Sequence, residues 1–376
     1  MRIYIVRSGD TLYSVARRFG TNTASLAQIN QLSDPSRLPV GLALVIPGGD
    51  APQGSIEVNG YTYPNISDAT LNETLPYLTF LCPFSWNIDA GGGITPIADE
   101  RLISAAYAEN TAPLLTLTNI GASGGFSSDI AHAIFTDQTA QDTLVENMLA
   151  ALRQRRYYGV NFNLEYIYPF DRGSYNQFLR RMSEILHARG YYLTTAIAPK
   201  VSDEQQGLLY TAHDYAAHGR YCDRVIIMTY EWGYTYGSPM AVSPVDRIRQ
   251  VLDYAVTQIP SGKILLGFSN YGYNWRLPWR QGQAAQVISN AAAANLASSV
   301  YAEVRFDEAA QAPYFNYTDP TGQRRVVWFE DARSVRARLR LVREYNLAGI
   351  SYWTVTRLYR PGFAVLESMH SVEKII

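Results

Sequence analysis

Cysteine is almost missing from this 376-residue chain, which has only Cys82 and Cys222, far apart and without metal-ligand spacing. That excludes a disulfide framework and a zinc site and leaves two buried free thiols as the expectation. Histidine is scarce too. The five histidines form no HExxH or HxH pair, so no catalytic metal is expected, and no motif asks for another cofactor. No apolar run approaches the ~18 residues a membrane helix needs. No basic-then-apolar leader precedes Tyr4, so neither a bilayer span nor a Sec signal is expected. Net charge is only −1, which points away from nucleic acid and from anionic membranes as partners. Aromatic residues, by contrast, are plentiful, with 28 tyrosines and 6 tryptophans. Rings with polar tips line sugar-binding grooves as well as cores. At 47% hydrophobic, the chain can bury a large core, and its length fits one small module plus one large domain.

Residues 1–48 read as the small module. A short strand, Ile3 to Val6, is followed by a turn at Ser8-Gly9-Asp10 and an amphipathic helix from Thr11 to Phe19, capped by Thr11 or Asp10. A second helix spans Thr23 to Asn30, and Leu42 to Pro47 closes a βααβ unit. The phrase Tyr4-x-Val6-x-x-Gly9-Asp10-Thr11-Leu12, with Ile29-Asn30 and Leu44-x-Ile46-Pro47, resembles the LysM domain. The resemblance implies binding of N-acetylglucosamine-containing glycans, peptidoglycan or chitin, through Gly9, Asp10, Thr11 and Asn30. Residues 49–54 read as a polar, Pro/Gly-containing linker.

From Ser55 to the last residue, 376, short apolar strands alternate with helix-length segments, the pattern of a parallel sheet with crossover helices. The eight expected strands are Ile56 to Tyr61, Tyr77 to Phe84, Pro113 to Thr118, Gly159 to Glu165, Tyr192 to Ala198, Arg224 to Tyr230, Lys263 to Tyr271 and Ala348 to Trp353. Such a series predicts an α/β fold, a (β/α)8 barrel. Helices are expected over Gln141 to Gln154, Tyr175 to Arg189 and Val245 to Gln258. Residues 275–327 are too long for a barrel loop and read as a small α+β insertion with a hairpin at Asp319-Pro320-Thr321-Gly322. The Gly121 to Gly125 turn lacks the Gly-Lys-Ser/Thr ending of a phosphate loop.

Barrel enzymes place their chemistry at the C-terminal ends of the strands. Here those ends carry Phe84, Asn119, Glu165, Tyr230-Glu231-Trp232, Asn270-Tyr271 and Trp353. In the stretch Gly159-Val160-Asn161-Phe162-Asn163-Leu164-Glu165, apolar and polar residues alternate, so two amides and an acid share one face. A carboxyl at the end of a core strand costs several kcal/mol, roughly, unless it is partnered or useful. Its expected use is as a general acid.

This stretch resembles the signature of glycoside hydrolase family 18, the chitinase-like enzymes, with Asn161 and Asn163 where the family usually has aspartates. Met228-Thr229-Tyr230-Glu231, Gly267 to Gly272 and Ser351-Tyr352-Trp353 are similar to the family's later strands. Ala198-Pro199-Lys200, the run from Gly207 to Tyr215 and the Trp232-Gly233 extension look like the LysM-bearing spore glucosaminidases.

The resemblance implies substrate-assisted retaining hydrolysis, in which the substrate's 2-acetamido oxygen attacks the anomeric carbon and one protein acid suffices. Glu165 would be that acid, with a raised pKa. Tyr230 would hydrogen-bond the acetamido carbonyl, and Trp353 would floor the sugar. Asn163 would accept the acetamido N–H without supplying charge. Asn161, Glu231, Trp232, Tyr271 and Phe84 would contact glycan. The function implied is a spore-cortex peptidoglycan N-acetylglucosaminidase, attenuated by Asn163. A non-catalytic glycan-binding spore protein is the alternative, and a chitinase the third reading. Association with the spore after synthesis in the mother cell is implied with it.

Overall fold

A computed structural model describes residues 1–48 and 52–376; positions 49–51, the first half of the expected linker, lie outside the described residues. Eight parallel strands close on themselves: Ser55–Thr62, Phe80–Pro83, Ala112–Thr118, Gly159–Asn163, Tyr192–Ile197, Arg224–Ile227, Ile264–Ser269 and Gly349–Trp353. The last pairs with the first, Gly349 opposite Glu57 and Tyr352 opposite Gly60. Every expected strand is present, but six are shorter than expected, two of them by a single residue. The second begins at Phe80, because Leu75–Tyr77 forms a 3-10 turn around Pro76, which cannot donate to a ladder. The fourth stops at Asn163 and the sixth at Ile227, so Glu165 and Tyr230 stand beyond the ladder, over the mouth.

The barrel interior carries a polar layer. Asn59 donates to Ser351 (2.9 Å) and accepts from the Cys82 thiol (3.2 Å). Asn161 accepts from the Tyr61 hydroxyl and donates to Thr194, both at 2.8 Å. Each interior amide is thereby satisfied inside a dry core, as burial requires. Both cysteines are buried and free.

The helices follow their apolar spacing. Gln138–Arg155 is capped by Asp137, whose carboxylate accepts the N–H groups of Thr139 and Ala140. Arg172–His187 starts three residues before the expected second helix and stops two short of its end, and Val245–Gln258 has the expected ends. The insertion is a five-stranded antiparallel sheet with helix Asn290–Ser299 packed on it. Its first strand, Gly272–Arg276, starts ahead of the expected boundary because barrel strand seven already ends at Ser269. The hairpin turn stands as expected, with Asp319 N–H bonded to Gln323 O at 2.9 Å.

The N-terminal module pairs Arg2–Ile5 with Ala43–Ile46 antiparallel, across helices Leu12–Arg18 and Thr23–Ile29. Thr11, not Asp10, caps the first helix in a reciprocal box with Ser14. The module is seated on the barrel. Asn295 donates to Gln31 O (2.8 Å), Arg333 to Gly41 O (3.2 Å) and Val304 N–H to Val40 O (2.9 Å). At Gly41, with φ +85°, any Cβ would lie 1.8 Å from Val304 O, so the approach requires glycine.

Candidate active site

The mouth of the barrel is a groove of three cavities of about 740, 550 and 370 Å³ that share Glu231 in their walls. The smallest holds Glu165, Asn163, Tyr230, Phe84 and Trp353. Trp353 also faces the largest, beside Tyr63, Tyr271 and Tyr273, while Trp232 lines the third with Tyr210 and Arg247.

Glu165 follows strand four by two residues and is fixed through its main chain. Asn119, at the end of strand three, accepts the Glu165 N–H (3.0 Å) and donates to its carbonyl (2.8 Å). His213 donates from Nε2 to Leu164 O and accepts the Ala198 N–H at Nδ1, both at 3.0 Å. These bonds define a neutral ring with its proton on Nε2, and burial holds the His213 pKa down at about 4. Burial likewise lifts the Glu165 carboxyl to about 7, with the Asn163 side chain pulling the other way. The acid is therefore about half protonated at pH 7, where an ordinary carboxyl would be almost fully ionised.

Asn163 is 2% exposed, and its Oδ1 has no hydrogen-bond partner among the described residues. A buried acceptor left alone costs about 1–3 kcal/mol, so this oxygen is suited to a donor arriving with a ligand. Tyr230 approaches over Gly267, where a Cβ would lie 3.0 Å from the Tyr230 ring and 2.5 Å from Ile227 O. Burial raises the Tyr230 hydroxyl well above its ordinary pKa, helped by the nearby Glu165 and Glu231, so it stays a donor.

Glu231 sits in the left-handed region at φ +67°. That placement costs of order 1 kcal/mol or more in a residue with a Cβ. Its carboxylate accepts from the hydroxyls of Tyr271 and Tyr273, the latter at 2.9 Å. Burial of the carboxyl raises its pKa and the two tyrosines oppose the rise, although another part of the residue is exposed. The Trp353 ring meets Phe84 edge-on at 4.8 Å and Tyr61 at 5.4 Å. Phe84 and Trp353 each precede a cis peptide bond.

Two expected contacts are corrected. Asn161 is fully buried with both amide atoms spent on Tyr61 and Thr194, so it supports the layer beneath the groove and lines none of these three cavities. Asn30 is 6% exposed; it accepts from Val45 N–H and donates to Leu26 and Val45 carbonyls, so it tethers helix to strand inside the module. Asp10 accepts from the Tyr4 hydroxyl (2.7 Å) and the Arg7 N–H (2.8 Å), shaping the turn that Gly9 makes at φ +84°. The Thr11 hydroxyl oxygen accepts the Ser14 N–H at 3.0 Å as the cap.

Residues missed from the sequence are Tyr63, Tyr273 and Arg357 in the largest cavity and Tyr210 and Arg247 in another. Tyr273 alone carried a signal, lying two positions past Tyr271 and so on the same side of an extended segment.

The LysM domain matches residues 4–47. Over 428 aligned residues the chain is 39% identical to the cortical fragment-lytic enzyme of Bacillus subtilis, covering 100% of this chain and 99% of that protein. The crystal structure of the spore cortex-lytic enzyme SleL of Bacillus megaterium superposes with a TM-score of 0.94 at 30% identity, covering 100% of this chain and 99% of that one. SleL of Bacillus cereus gives 0.82 at 37% identity, covering 99% and 87%. Glycosyl hydrolases family 18 matches residues 104–357, from the helix before strand three to the loop after strand eight, and the chain belongs to that family as a LysM-bearing glycoside hydrolase.

Proposed function

We propose that this glycoside hydrolase is an N-acetylglucosaminidase of spore cortex peptidoglycan, and that its active-site acid is Glu165. The observation that carries the reading is a carboxyl raised to about 7 by burial, standing in an aromatic-lined groove beside an unpartnered amide acceptor. Cortex peptidoglycan as substrate is supported by similarity to proteins named cortical fragment-lytic and spore cortex-lytic enzymes. Association with the spore rests on the same relatives, and no described helix is long and apolar enough to cross a membrane.

In this reading a sugar stacks on Trp353 with its acetamido group turned toward Asn163 and Tyr230. The Tyr230 hydroxyl donates to the acetamido oxygen, and Asn163 Oδ1 accepts the acetamido N–H. The acetamido oxygen bonds to the anomeric carbon as the bond to the leaving oxygen breaks, and that oxygen takes the Glu165 proton. Glu165, now a carboxylate, removes a proton from water attacking the same carbon from the vacated face. The acetamido group is released, the acid is restored and the configuration is retained.

The test is digestion of cortex peptidoglycan by the protein and by Glu165→Gln, with muropeptides resolved by mass. New reducing ends at N-acetylglucosamine are expected from the first alone, with glycan binding kept by the second. Undiminished hydrolysis by Glu165→Gln, or reducing ends at muramic acid, would overturn the reading.

A further inference from the structure

The largest cavity of the groove is lined by an arginine that no carboxylate pairs among the described residues. Arg357 lines it beside Tyr63 and Thr356, and its guanidinium has neither a hydrogen bond nor an ion pair among the described residues. The carboxylate in the same wall, Glu231, is engaged by Tyr271 and Tyr273. Nearby arginines outside the cavity are paired, Arg360 with Glu73 and Arg333 with Asp331.

The root of Arg357 is fixed even though its side chain is exposed. Asn270 Nδ2 donates to the Arg357 carbonyl (2.8 Å) and to the Thr354 carbonyl (3.0 Å). Gln31, reaching from the LysM module, brackets the following residues by donating to Leu358 O (3.2 Å) and accepting the Arg360 N–H (2.9 Å). A guanidinium presented from an anchored backbone into a groove whose wall carboxylate, Glu231, is held by two tyrosines is suited to forked recognition of a ligand carboxylate. Neutral chitin-type glycans offer no such group. Peptidoglycan does, because a muramyl residue bears a lactyl ether whose carboxyl, where it is not closed into the δ-lactam, is free or extended into an acidic stem peptide.

We propose that Arg357 is a specificity-determining residue that binds the lactyl or stem-peptide carboxylate of a muramyl residue adjoining the cleaved N-acetylglucosamine. The proposal rests on the peptidoglycan reading above. Its test is calorimetric binding in the Glu165→Gln background, so that turnover plays no part. The four ligands are a glycan fragment with a free lactyl carboxylate, one with a stem peptide, one with muramic-δ-lactam, and a chito-oligosaccharide.

Adding Arg357→Gln is expected to raise Kd about tenfold, about 1.4 kcal/mol, for one or both carboxylate-bearing fragments. Kd for the lactam fragment and the chito-oligosaccharide should stay within about twofold, and Arg357→Lys should recover part of the loss. Which of the first two ligands responds identifies the carboxylate. Equal losses on all four ligands, no loss on any, or no binding of carboxylate-bearing fragments overturns the proposal. The peptidoglycan reading fails separately, if the protein with Glu165 intact leaves cortex muropeptides uncut.

Discussion

One side chain holds both backbone polar groups of Glu165: Asn119 accepts its N–H at 3.0 Å and donates to its carbonyl at 2.8 Å. The same Nδ2 also donates to Ser127 O at 3.0 Å, tying the acid to the turn after strand three. Glu165 lies past the last ladder bond of its strand, so this amide replaces the pairing that the strand no longer provides.

Asn119→Ala should therefore behave as the loss of a positioning residue. Leaving two backbone groups unpartnered costs about 1–3 kcal/mol of stability. Displacing the acid by a fraction of an ångström should lower kcat about tenfold or more with little change in KM. Asn119→Asp keeps the acceptor and loses the donors, so its kcat should fall between the two. Steady-state kinetics with a thermal melt on each variant checks this, and a loss confined to KM would contradict it.

The raised pKa of Glu165 sets the pH dependence of both rate and stability. Hydrolysis needs the protonated acid, so kcat should fall as pH rises through about 7. Its folded pKa lies above its ordinary 4.5, so its contribution to stability is fully present below about 4.5 and is lost as pH rises through about 7. Glu165→Gln should then match the parent near pH 4 and exceed it near pH 8.5 by roughly 3 kcal/mol. Chemical denaturation at the two pH values measures the difference.

Asn163→Asp adds the charge that the amide lacks. A negative neighbour raises the Glu165 pKa further, so the alkaline fall in kcat should move upward by about one pH unit. A fixed charge beside the cationic intermediate is worth about 10²-fold in rate where water is excluded, and kcat should rise toward that figure. Equal rates and an unmoved pH profile would mean that the Asn163 amide suffices.

The barrel, its eight strands and the acid were legible because they rest on local patterns: alternation along Gly159 to Glu165, helical spacing in Gln141 to Gln154, and aromatic residues at strand ends. Depth was not legible. Asn161 and Asn163 share a face by alternation, yet one is sealed between Tyr61 and Thr194 while the other reaches the groove with its acceptor open. Period-two reasoning gives the face and not the layer along the barrel axis. Asn30 was misjudged for a related reason, because a polar residue at a helix end looks the same in sequence whether it meets solvent or, as here, Val45. Arg357 and Tyr63 come from loops after opposite ends of the sequence and meet only once the barrel closes.

The seating of the LysM module on the barrel was also hidden, since a Gly- and Pro-containing joint suggests a loose tether. Gln31 shows how far the module is integrated. The helix Arg360–Met369 has no side-chain cap from Tyr359, and Gln31 Oε1 accepts the N–H of its first residue, Arg360, from the other module. The Gln31 carbonyl in turn accepts from Asn295 of the insertion, so one residue joins the module, the strand-eight loop and the groove wall. Removing a cap of this kind costs about 1 kcal/mol. Gln31→Ala should lower stability by about that amount and raise KM for soluble glycan fragments roughly two- to threefold, because the loop it releases carries Arg357. Attachment to particulate wall should be unchanged, since the Gln31 side chain is spent on the strand-eight loop. Scanning calorimetry tests the premise: docked modules melt in one cooperative transition, and a separate low-temperature transition for the LysM module would show that Gln31 holds nothing in solution.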